Sequence, residues 1–164
     1  MPDHRHGNQR PANNAPYRDR RPSGGHYSDR EEPTLATDKI VFDPLDAELF
    51  NKVAQQTAKT IAENGGFNKP SQIRKFYDEL CLWEAKVNQV AAQADARFNE
   101  CWPFILMLNA KAAYAKGRKL VDDNFVKLVS HSLNQVKSPR TLRLCKLFFE
   151  AFLGFYKELR PSDK

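Results

Sequence analysis

With 164 residues, 26 Lys and Arg against 20 Asp and Glu, and a formal charge of +6, the chain has the length of one domain and a balance that suits a polyanionic partner without requiring one. Its three cysteines, Cys81, Cys101 and Cys145, are odd in number and never at C-x-x-C spacing, which argues against a disulfide framework or zinc knuckle and for reduced, mostly buried thiols. The longest apolar run, Phe104 to Leu108, is far below the ~18 residues of a membrane span, and the first residues lack the apolar core of a secretory signal, so a cytoplasmic protein without a membrane partner is expected.

Residues 1–34 contain no Leu, Ile, Val or Phe but are rich in Pro, Gly, His and Arg. Such a segment cannot bury enough apolar area to offset the entropy of ordering, and it reads as a disordered tail. Residues 35–164 read as one all-α domain, a compact bundle of about five helices. The first helix is expected to open with Asp43 as N-cap and Pro44 at N1, to present Leu45, Leu49, Val53 and Ile61, and to end at Asn64-Gly65-Gly66. The second should run from Pro70 to about Gln93, with Ile73, Phe76, Tyr77, Leu80, Val87 and Val90 on its apolar side. The third is expected to begin at Pro103 and stop at Gly117. The fourth is capped by Asp122 or Asp123 and carries Phe125, Val126, Val129, Leu133 and Val136. Ser138-Pro139 opens the fifth, which ends before Pro161.

Catalytic constellations are missing from the sequence. There is no P-loop, no H-E-x-x-H and no G-x-S-x-G. His131 is the single histidine of the helical region. Helical ribonucleases of the HEPN type place an Arg five to seven residues before a His, and those positions hold Asn124, Phe125 and Val126. A histidine on a polar helix face is most often simply solvated, and no acidic cluster suggests a two-metal site. No enzyme, metal, cofactor or small-molecule substrate is expected.

Two basic segments are more informative. Around the start of the second helix, Ser71, Arg74 and Lys75 fall opposite Ile73, Phe76 and Leu80, with Lys69 just ahead. A hydroxyl and cations beside a helix N-terminus could hold phosphate, though a solvated face would look the same. In the third helix Lys111, Tyr114 and Arg118 stand at i, i+3 and i+7, so they share one stripe, and Lys119 follows. Cations at a helix C-terminus also complement the macrodipole. Neither segment displays the side chains of base-specific reading; both suit a grip on phosphate and sugar. The fifth helix is apolar around more than half its circumference, beyond the stripe an ordinary surface helix needs. It is therefore either central to the bundle or the bearer of an apolar patch for a partner; the central place is preferred, with part of it, at Phe148, Phe152, Phe155 and Tyr156, expected to remain for a protein interface.

The ordered set Ser71-Gln72-Ile73-Arg74-Lys75-Phe76, Leu108 to Arg118, and Phe149 to Lys157 resembles the Csm small-subunit family of type III-A CRISPR systems across about residues 68–159. The family shows S-[KQ]-I-R near a helix start, a small-residue helix end of the form K/R-x-x-x-Y-x-x-G-R, and a closing aromatic helix. The chain departs from it in having Lys69-Pro70 rather than threonines before Ser71, in placing Lys111 three residues before Tyr114, and in carrying the N-terminal tail. The resemblance implies a five-helix, non-catalytic subunit of an antiviral RNA-guided complex. It implies copies stacked head to tail beside the backbone and large subunits, along guide RNA paired with target RNA. The matching positions make Arg74, Lys75, Lys111 and Arg118 the expected RNA contacts, and the basic segments around them add Lys69, Ser71, Tyr114 and Lys119. A protein scaffold without RNA contact is the alternative.

Overall fold

The computed structural model describes residues 33–161. The expected tail, 1–34, lies outside them except for Pro33 and Thr34. Among the described residues the regular structure is entirely helical: a π-helical turn Leu49–Val53 running into α1 (Ala54–Glu63), then α2 (Pro70–Val87), a 3-10 turn Ala91–Gln93, α3 (Ala94–Gly117), α4 (Asp123–Asn134) and α5 (Pro139–Leu159). No helix among them is long and apolar enough to cross a membrane.

The axis of the bundle is α5, which packs against α1, the π-helical turn and α2, while α3 closes the bundle by packing on α2 and α4. Leu142, Cys145, Phe148, Phe149, Phe152 and Tyr156 are all buried. Edge-to-face contacts join Phe148 to Phe149 and Phe149 to Phe152, and Phe76 of α2 meets Phe125 of α4 at 5.1 Å between centroids. This corrects the expected interface on α5: Phe148, Phe152 and Tyr156 are consumed by the core, because α1 and α2 pack on α5, Phe42 covers Phe148, and the Tyr156 hydroxyl donates to the Asn68 carbonyl. Only Phe155 keeps part of its ring at the surface.

The two last helix starts form as their sequences dictate. Asp122 Oδ1 accepts from Phe125 N at 2.9 Å, and Ser138 and Thr141 form a reciprocal capping box with Pro139 in the first turn. Two proline readings need correction. Asp43-Pro44 is a cis peptide ahead of the helix, and Leu45 stays 44% exposed; with no buried anchor in that turn, helix begins only at Leu49. Pro103 lies inside α3 rather than at its start. Although an interior proline removes a backbone bond, buried Phe98 and Cys101 on one side and Ile105 and Leu108 on the other hold the helix continuous. α2 ends at Val87, six residues earlier than expected, and Val90 is exposed.

Residues 33–43 form an irregular strap along α4, with a turn at Asp38-Lys39 closed by Ile40 N to the Thr37 carbonyl, an element absent from the helical reading. Leu35, Ile40 and Phe42 anchor it in the core. Side chains one turn apart on α4 satisfy its backbone. Asn124 Oδ1 accepts from Leu35 N at 2.9 Å and its Nδ2 donates to the Pro33 carbonyl at 2.7 Å. Lys127 donates to the Leu35 carbonyl, His131 Nε2 lies 2.9 Å from the Ile40 carbonyl oxygen, and Gln135 both donates to Ile40 and accepts from Phe42 N. His131 is thus a part-buried strut rather than a solvated group. Gln135→Ala strips two strap bonds; the Ile40 carbonyl keeps His131 but the Phe42 amide is left unpaired, an expected cost of about 1–3 kcal/mol; hydrogen exchange at the Phe42 amide should accelerate while that of α2 amides does not.

Candidate nucleic-acid interface

Three contacts fix the register of α2 against α3. Lys69 N donates to the Leu120 carbonyl at 3.2 Å, Lys111 Nζ reaches both carboxylate oxygens of Glu79 at 2.6 and 2.7 Å, and Trp83 stacks on Phe104 with centroids 6.1 Å apart. As α2 advances through 69, 79 and 83, its partners step back through 120, 111 and 104, so the helices are antiparallel. The start of α2 and the end of α3 therefore meet at one end of the bundle.

This register brings Lys69, Ser71 and Lys75 at the start of α2 to the same end as Tyr114 of α3 and Arg118 and Lys119 just after it, all exposed. Lys75 precedes Glu79 and Trp83 by one and two turns, so it lies on the flank of α2 that faces α3. Lys69, Lys75, Arg118 and Lys119 form no ion pair among the described residues. The Arg118 guanidinium carbon stands 5.7 Å from the Tyr114 ring centroid. Lys119 takes a left-handed backbone (φ 58°), turning the chain off α3 towards Leu120.

Two of the expected cations are arranged differently. Arg74 is rotated about 100° from Lys75, bonds Asp78 at 2.7 Å and overlies Tyr77 at 5.2 Å. That hydrogen bond to Asp78 holds its pKa above the ordinary value. Tyr77 in turn faces α5: Lys146 lies 6.0 Å from its ring, burial pushes the Tyr77 hydroxyl pKa up, and the hydrogen bond from Lys146 holds the Glu150 carboxyl below its usual range. Arg74 thus belongs to the seam between α2 and α5. Lys111 is a strut between α2 and α3, its charge matched by Glu79, which also accepts from Trp83 Nε1 at 3.3 Å. Exposed pairs of this kind contribute only ~0–1 kcal/mol, so either cation can exchange its carboxylate for phosphate at small cost. Lys116, on another flank of α3, pairs with Asp123 of α4.

The sequence reading missed Trp83, Phe104 and Met107. They continue the α2–α3 face away from the cationic end, and the signal lay in their spacing: 104, 107, 111, 114 and 118 recur at alternating steps of three and four. Among the described residues no group of three or more His, Cys, Asp or Glu could hold a metal ion.

The sequence matches the family Csm2 Type III-A over residues 45–162. The chain belongs to the Csm2 Type III-A family. It is therefore a small subunit of a type III-A CRISPR Csm complex, with the other Csm subunits as its partners. The family match includes all five α-helices and both basic segments, and it begins after the strap, so the α4 ladder holds a segment that precedes the family region. Comparison with curated proteins and with solved structures returned no match.

Proposed function

We propose that this Csm2 subunit is a non-catalytic structural element of the interference complex, gripping the ribose-phosphate backbone of guide and target RNA without regard to sequence, with copies stacked as a minor filament beside the backbone subunits. The observation that carries the reading is the antiparallel register of α2 and α3, which gathers Lys69, Ser71, Lys75, Tyr114, Arg118 and Lys119 at one end. Four cations without carboxylate partners among the described residues concentrate positive potential on one rim, where a polyanion would lie. Arg74 and Lys111 stand on either side as secondary contacts. Base-reading groups are lacking on this rim, in keeping with a grip on phosphate and sugar.

Csm complex carrying Lys75→Ala with Arg118→Ala should retain target RNA less well, about equally for unrelated target sequences. Each cation withdrawn from a phosphate should lower the slope of log affinity against log salt by roughly 0.7–0.9. Weakening confined to one target sequence would contradict a backbone grip. Unchanged retention would favour the second reading, a protein scaffold without RNA contact, which the exposure of Leu82 (64%) and Leu106 on α2 and α3 supports.

A further inference from the structure

The α3 face beside α2 carries more exposed aromatic and thioether surface than a backbone grip needs. Phe104, Met107, Lys111, Tyr114 and Arg118 fall within an arc of roughly 80° and extend about 21 Å along the helix. Phe104 is 54%, Met107 53% and Tyr114 67% exposed, although large apolar side chains gathered on one face normally mark a binding surface. Each aromatic ring already has a partner on one side. Phe104 lies nearly parallel to Trp83, with 12° between ring planes, and Tyr114 lies under the Arg118 guanidinium. Both residues remain largely exposed, so an incoming planar group would extend a stack that is already ordered.

We infer that this stripe binds unpaired bases of single-stranded RNA, Phe104 and Tyr114 serving as stacking platforms while Lys75 and Arg118, at the Tyr114 end, face phosphates of the same strand. The inference rests on the RNA-contacting reading above and adds the strand state of the ligand. Aromatic rings interleaved with cations are the combination that single strands require, because every base has a π-face and every linkage a charge. A duplex hides its base faces and could use the cations alone. The platforms lie about 15 Å apart along α3, which leaves room for nucleotides between the two stacked bases. Charge favours RNA over an apolar protein partner on this face: Lys86 lies 5.2 Å from the Trp83 ring, and the acidic residues there are Glu79, already engaged by Lys111, and Glu100 at the far end.

The test uses the full chain and fluorescence anisotropy with a labelled oligouridylate of about 12 nucleotides, against an RNA duplex of equal length. Phe104→Leu and Tyr114→Leu keep helix-forming, exposed apolar side chains, so folding is preserved. Each should weaken single-strand binding by about five-fold or more, with duplex binding and the salt slope unchanged, and Tyr114→Phe should bind as the parent does. Leucine variants that bind the single strand normally, while Lys75→Ala with Arg118→Ala weakens it, would overturn stacking and leave the backbone grip standing. Absence of single-strand binding by the parent chain, or equal weakening on duplex and single strand, would also overturn it. Leucine variants that change self-association in sedimentation but not RNA binding would assign the stripe to protein contact instead. If neither set of variants affects any RNA, both readings fall together.

Discussion

Phe148→Ala should lower folding stability by about 4 kcal/mol. The ring is completely buried on α5 and joins two parts of the molecule: Phe42 of the strap lies 6.1 Å away at 57°, and Phe149 of α5 lies 6.1 Å away edge-on. Truncation removes the transfer energy of the ring and leaves a cavity whose walls belong to different elements, so the site cannot collapse cheaply. For a domain of this size the melting temperature should fall by roughly 10–20 °C. Urea titration provides the check, with the midpoint moving and the slope preserved. Phe155→Ala is the internal comparison. Its ring is half-buried at the edge of the same helix, and its removal should cost about 1–2 kcal/mol. Equal, small costs at both positions would restore α5 as an interface and remove the account of the core given above.

How far the sequence foretold this fold differs from element to element. Starts of α4 and α5 were legible because capping is local: an Asp or Ser accepts a backbone bond from three residues on, and the apolar residues that follow are buried. Asp43-Pro44 carries the same dipeptide logic as Ser138-Pro139, yet only the latter begins a helix. Thr141 completes its capping box and is buried, whereas Leu45, in the turn after Pro44, points to solvent. The strap was illegible for the opposite reason. Its bonds run to Asn124, Lys127, His131 and Gln135, some 90 residues away, and no local pattern announces partners at that distance. The candidate interface was half legible. Helical spacing placed the right cations on exposed faces, but Lys111 and Glu79 are 32 residues apart, and only the packing of α2 on α3 makes that pair and sets Arg118 beside the start of α2.

That junction depends on one buried side chain, and Asn68→Ala should cost about 4 kcal/mol. Asn68 is fully buried with φ 56°, a left-handed backbone that asparagine tolerates better than alanine does. Its Nδ2 donates to the Ile61 carbonyl at 3.0 Å, an acceptor near the end of α1 whose i+4 amide, Gly65 N, bonds Glu63 instead. Its Oδ1 accepts from Asp122 N at 2.9 Å, at the N-cap of α4. Its own carbonyl accepts from the Tyr156 hydroxyl of α5. One residue thus ties α1, α4 and α5 immediately before Lys69, and alanine would strand two buried backbone groups while adding dihedral strain. Asn68→Gly separates the two costs, because glycine accepts the dihedral but not the bonds; it should lie about 1 kcal/mol above the alanine variant and well below the parent in denaturant titration. Because Lys69 N is fixed to Leu120, loosening Asn68 should also misplace the cationic rim. Single-temperature RNA retention by Asn68→Ala complexes should therefore fall even where the chain remains folded. An alanine variant as stable as the parent would show that the register of α2 is held elsewhere, and the rim would lose its structural support.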